Sequence, residues 1–100
     1  MANTFTVLFR GDASIENTTL YTVPAGTKTL ITTFVVTNTT ATTQKFSITA
    51  AGVDLVNGSS VSGNDTTIIE FKTLMDAADS IAAVADSTDV KFYVTGLEIS

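Results

Sequence analysis

The chain has no cysteine, no histidine and no tryptophan, and its one proline is Pro24. Without cysteine there are no disulfides, thiolate nucleophiles or sulfur-held metals. A small domain without bridges is expected to assemble in a reducing cytosol. Without histidine there is no Ser-His-Asp triad, no imidazole base and no imidazole metal ligand. Cations are few: Arg10, Lys28, Lys45, Lys72 and Lys91 stand against ten acidic residues, for a net charge of −5. Scattered in this way they form no patch that could displace counterions from phosphates, so neither nucleic acid nor an anionic membrane is an expected partner. Met1 to Thr4 lack the charged and apolar regions of a signal peptide, and no apolar run approaches the length of a membrane span. The six glycines are dispersed at turns and build no phosphate-cradling loop.

Threonine fills the gap, with 20 of the 100 residues. It is β-branched, stiff at χ1 and suited to a pleated surface. With 44% hydrophobic and only 15% charged residues the chain is too apolar to stay disordered. Its length suits one domain over residues 1–100. Alternation sets the strands. Phe5, Val7 and Phe9 share one face, with Leu8 opposite. Leu20 to Val23 runs into the turn Pro24-Ala25-Gly26. Thr29 to Thr37 carries apolar groups on both faces, with Leu30, Phe34 and Val36 on one and Ile31 and Val35 on the other. Such a strand is central and covered on both sides. Phe46, Ile48 and Ala50 mark the next strand. Val53 to Val61 reads as a short hairpin about Asn57-Gly58, whose residues accept a type I′ turn. Thr67 to Lys72 follows. Val90, Phe92 and Val94 then lead to Gly96, where a shift of the apolar phase to Leu97 and Ile99 predicts a bulge. Residues 73–86 are ambiguous. Leu74, Ala77, Ala78, Ile81, Ala82 and Ala85 fit helical spacing, with a short helix within 73–80, while Ile81, Ala83 and Ala85 also alternate as a strand. The 8–12-residue spacing of turns predicts an all-β, antiparallel β-sandwich of about eight strands, jelly-roll or immunoglobulin-like.

Few residues offer chemistry. Asp76, Asp79, Asp86 and Asp89 gather in one stretch, but their spacing matches no calcium loop and they read as turn residues. No catalytic set, cofactor or metal is expected, and the chain reads as a non-enzyme. Tyr21 and Tyr93 are the aromatics available for a sugar or protein surface. Ile31 and Val35, on the second face of the long strand, and Leu8 complete the expected interface: Leu8, Tyr21, Ile31, Val35 and Tyr93.

The run Thr19-Leu20-Tyr21-Thr22-Val23-Pro24-Ala25-Gly26, followed by Thr29 through Thr40, resembles small virion proteins of tailed bacteriophages. So do the turn at Gly63-Asn64-Asp65-Thr66, the Leu74 to Ile81 element and the ending Val94-Thr95-Gly96-Leu97-Glu98-Ile99. The resemblance covers about residues 18–100, and the chain departs from it at Ala78, where the family has glycine. It implies a β-sandwich or jelly-roll fold, which tips Asp79 to Ala85 towards a strand preceded by a turn. It also implies a structural role in the virion: a capsid decoration or cement protein binding the major capsid protein, or a head–tail, tail or fibre-base accessory. Its partners would be a phage capsid or tail protein and further copies of itself, a trimer being favoured, with assembly in the bacterial cytoplasm. It transfers no named binding residues. A carbohydrate-binding or adhesin module is the alternative function.

Overall fold

The computed structural model describes residues 3–100, and its regular structure is eight β-strands. They are β1 (Asn3–Asp12), β2 (Thr18–Thr22), β3 (Lys28–Asn38), β4 (Gln44–Ala50), β5 (Val53–Val61), β6 (Thr66–Met75), β7 (Ser80–Ala85) and β8 (Val90–Ile99). Two four-stranded antiparallel sheets form, sheet A in the order β1-β8-β3-β6 and sheet B in the order β2-β7-β4-β5. This is the strand order of a jelly roll, the sandwich expected from the turn spacing. The molecule is elongated, 45 × 21 × 18 Å.

The core lies between the sheets. Sheet A contributes Ile31, Phe34, Val36, Met75, Val90, Phe92 and Val94, and sheet B contributes Phe46, Ile48, Ala50, Val61, Ile81, Ala83 and Ala85. Phe34 and Phe92 meet edge to face with centroids 5.1 Å apart, the favoured geometry for two ring quadrupoles. In sheet B every inward pair of β4 and β7 couples a large and a small residue: Phe46 with Ala85, Ile48 with Ala83, Ala50 with Ile81. This pairing explains Ala83 and Ala85, which leave room for the bulky residues of β4. The helical spacing is incidental: Ala77 and Ala78 lie in the β6–β7 turn and Ala82 lies on the outer phase of β7.

No helix occurs at 73–80. Strand β6 runs on to Met75, and Asp76 to Asp79 form a tight turn closed from both sides. The Asp79 amide donates to the Asp76 carbonyl at 3.0 Å, and the Asp76 amide donates to Asp79 Oδ2 at 3.0 Å. Ala78 sits in this turn at φ +73°, the left-handed region that costs a residue with a Cβ about 1–2 kcal/mol. Ala78→Gly relieves that strain and adds back about 0.4–1 kcal/mol of unfolded-state entropy. The variant should therefore be more stable by about 0.5–1 kcal/mol in urea unfolding; an unchanged or lower midpoint would refute the strain.

Two turn assignments move. The hairpin between β4 and β5 turns at Ala51-Gly52, with φ +51° and +78°, and the predicted hairpin at Asn57-Gly58 lies instead within the single strand β5. There Gly58, at φ +64°, forms a bulge opposite Ser47, whose Oγ accepts its amide at 2.9 Å. A positive-φ glycine serves either device, so the dipeptide alone could not decide. The irregularity predicted at Gly96 belongs to its neighbours. Strand β8 alternates without a break, while β1 shifts between Val7 and Phe9 and β3 between Ile31 and Thr33. Gly96 pairs with Thr6 on one side and Ile31 on the other, so both irregularities flank it.

Candidate functional site

These bulges decide which residues reach the surface. On the outer face of sheet A, register aligns Phe5, Leu97, Leu30 and Leu74 in one row across all four strands. A second row is Arg10, Tyr93, Val35 and Ile68, and between them lies Val7, Thr95, Thr33 and Glu70. Phe5 is 67% exposed, Ile68 64%, Leu74 54% and Tyr93 42%. The face ends in a polar row, where Lys91 Nζ meets Asp12 Oδ1 at 2.7 Å and the Thr37 and Thr66 hydroxyls are 3.2 Å apart. The outer face of sheet B differs, with rows such as Thr19, Ala82, Thr49 and Asp54. Large apolar groups are thus concentrated on one of the two faces, which is what a face covered by a partner requires.

The expected interface residues divide accordingly. Leu8 and Ile31 are corrections: both are buried in the core, Leu8 in the β1 bulge and Ile31 on the inward phase of β3, and neither is available to a partner. Strict alternation had placed Ile31 with Val35, but the shift between Ile31 and Thr33 puts them on opposite faces. Val35 and Tyr93 are direct cross-strand neighbours on the outer face of sheet A. Sequence reasoning missed Phe5, Leu30, Ile68, Leu74 and Leu97, which share that face. The clue lay at Leu97 and Ile99, whose apolar phase is opposite to that of Val90, Phe92 and Val94 and marks the outer side of β8.

Tyr21 is half-buried at one end of the sandwich and belongs to neither face. Its ring packs against the core, and its hydroxyl donates to Glu98 Oε2 at 2.6 Å and lies 2.9 Å from Thr29 Oγ1. It therefore ties β2 of sheet B to β8 and β3 of sheet A. Burial, and then the hydrogen bond to the Glu98 carboxylate, push the phenol above its usual value near 10. An acid whose folded pKa is raised contributes stability below its unfolded pKa and loses it as pH rises through the folded one. Stability should therefore fall above about pH 10, and Tyr21→Phe should flatten that alkaline limb in melts from pH 8 to 11. A limb of unchanged slope in the variant would remove Tyr21 as its cause.

The aspartates stay apart. Asp76 and Asp79 close the β6–β7 turn, while Asp86 and Asp89 lie at the other end of β7. Asp76 also meets Lys28 at 3.5 Å, and Asp86 Oδ2 accepts the Lys45 amide at 3.3 Å. Among the described residues no three acidic side chains converge to hold a metal ion.

No protein-family model matches the sequence, and no curated protein matches it. The fold has solved counterparts. A chain of the T13 particle of infectious bursal disease virus is similar at a TM-score of 0.64 and 8% identity, over 98% of this chain and 30% of that one. A structure of the Gx strain of the same virus gives 0.54 and 10% identity, over 98% and 32%. This chain therefore spans about a third of the length of those proteins. A pentameric capsid protein from metagenomic phage sequences has a TM-score of only 0.41 at 17% identity, over 97% and 64% of the two chains. Carbohydrate-binding modules fall in the same low range, too distant to favour any role. What these likenesses establish is the fold, an eight-stranded antiparallel sandwich of the kind also found in a virus particle.

Proposed function

We propose that the domain is a non-enzymatic structural component of a tailed-phage virion, a capsid decoration or cement protein that docks on the major capsid protein through the outer face of sheet A. The observation that carries this reading is the contrast between the two outer faces. Sheet B presents hydroxyls and small residues, whereas sheet A presents the two rows Phe5-Leu97-Leu30-Leu74 and Tyr93-Val35-Ile68. The sandwich fold shared with a virus-particle chain supports it, as does the resemblance of residues 18–100 to phage virion proteins. A non-catalytic role accords with the missing imidazole and thiol and with carboxylates spread over separate turns.

Quantitative mass spectrometry of purified particles should find this chain in many copies. Its absence from particles would refute the reading. The docking face is tested by Val35→Asp, which puts a charge in the centre of the face at a fold cost of about 1 kcal/mol, the span of strand propensities. The folded variant should rebind particles stripped of the domain at least about tenfold more weakly, since a desolvated charge without a partner costs over about 1.4 kcal/mol. Equal binding would move the docking site elsewhere.

A further inference from the structure

Scattered along the sequence, the cations gather in space. Register puts Arg10 beside Tyr93, Lys28 beside Ile99 and Lys91 beside Thr37, all on the outer face of sheet A. Lys72 borders the same face, in a hollow with Leu30 and Thr33. Four of the five cationic side chains therefore stand here, with only Asp12 and Glu70 of the ten acidic ones. The face thus carries +2, four cations against two acids, and the remainder carries −7, one cation against eight acids. Lys91 is paired with Asp12 and Lys28 with Asp76. Arg10 and Lys72 are exposed and take part in neither of these ion pairs, the two found among the described residues. Each stands at a surface hollow lined by apolar groups, Arg10 with Val35 and Tyr93, Lys72 with Leu30 and Phe71.

We infer that the protein surface covered by this face is apolar at its centre and net acidic, with carboxylates that enter the two hollows and meet Arg10 and Lys72. This deepens the docking reading above and rests on it. Under a partner without such groups both cations would be desolvated and unpaired, a cost that a facing carboxylate removes. A phosphate chain is a poorer fit. It needs adjacent cations, whereas Arg10 on β1 and Lys72 on β6 are three strand spacings apart, about 14 Å, with large apolar side chains between them. A second copy fits poorly as well, because the outer face of sheet B offers rows such as Thr19, Ala82, Thr49 and Asp54 in place of an apolar match. The segregation of charge also orients the approach. An acidic surface repels a molecule of net charge −5 as a whole, so the favoured encounters are those that lead with sheet A.

Rebinding of the domain to stripped particles, measured across salt, tests this. Raising salt from about 0.05 M to about 0.5 M should weaken the wild type about fivefold, as the screening length falls from over about 10 Å to under about 5 Å. Arg10→Glu and Lys72→Glu should each weaken binding about threefold to tenfold at the lower salt. With both reversed, added salt should no longer weaken it. Glu70→Lys, at the Lys72 hollow, should instead tighten binding about threefold. Lys45→Glu makes the same change of net charge on sheet B and should shift binding by less than about twofold. All four positions are exposed, so the variants should melt near the wild-type temperature. Binding indifferent to salt, or cation reversals no stronger than Lys45→Glu, would overturn the acidic partner. So would binding of duplex DNA as tight as that of the particles. Val35→Asp keeps the two readings apart. If it weakens binding and the reversals do not, the docking face stands without an acidic partner; if neither does, both readings fall.

Discussion

Replacing Asn38 with alanine should cost about 3–5 kcal/mol, a large part of the roughly 5–15 kcal/mol that holds such a domain together. Asn38 ends β3 on the phase of Phe34 and Val36, so its amide is delivered into the interior, fully buried. There Nδ2 donates to the carbonyls of Thr42 at 2.7 Å, Val61 at 3.0 Å and Ser62 at 3.2 Å. Oδ1 accepts from the Thr40 amide at 2.9 Å and the Thr40 hydroxyl at 2.7 Å. One side chain thus ties the end of sheet A to the loop after it and to the end of β5. Truncation strands several of these groups, each at about 1–3 kcal/mol, before any cavity is counted. Asn38→Asp should be nearly as damaging, since a carboxylate would face three carbonyls. Its folded pKa would be raised, so relative to Asn38→Ala its stability should be best below about pH 4 and worsen as pH rises. Chemical denaturation of both variants decides the matter; a loss under about 1 kcal/mol for Asn38→Ala would show that water replaces the clamp.

Gly96→Ala should cost about 3 kcal/mol for the opposite reason, too much matter where there is no room. A Cβ there would lie 2.6 Å from the Leu30 carbonyl oxygen and 2.8 Å from Leu8 Cδ1. The first contact is backbone of the adjacent strand, which cannot move without opening the sheet. The second is the tip of a side chain, which can. Leu8→Ala alone should cost about 2–3 kcal/mol as a buried leucine truncation. Combined with Gly96→Ala it removes one of the two collisions, so the double variant should lose less than the sum. Strict additivity in a double-mutant cycle would mean that Leu8 does not fill the space above Gly96. Gly63 is a second such site, where a Cβ would collide with the Ala41 carbonyl group.

These positions show where sequence reasoning holds. Alternation located nearly every strand, because a half-buried sheet imposes period two on its side chains. It mistook faces wherever a bulge intervened, since one extra residue exchanges inside for outside. Leu8 and Ile31 were lost to the interface in that way, while Val35 and Tyr93, beyond the irregular positions, were placed on the outer side. The alanines misled because those at helical spacing lie in a turn (Ala77, Ala78) or on an outer face (Ala82), while the inward Ala83 and Ala85 take their size from Ile48 and Phe46, partners more than thirty residues away. Asn38 was legible in principle: it continues the inward phase of Phe34 and Val36. Its asparagine-threonine surroundings resembled a polar loop and concealed it. The apolar rows of sheet A were not legible, since they exist only once four strands from both ends of the chain are in register.

Strand β8 lies inside sheet A, between β1 and β3, although it is the last of the eight to be synthesised. On the ribosome, β1 and the β3–β6 pair must therefore wait as separate pieces, the facing edges of β1 and β3 both open, until Ile99 has left the exit tunnel. Sheet B meets no such delay, because β2, β4, β5 and β7 are complete by Ala85. The nascent chain can order its hydroxyl-rich half first, and the apolar outer face of sheet A comes into being only once β8 has emerged. A subunit that would bind its partner through that face is thereby kept from doing so while one of its strands is still unmade.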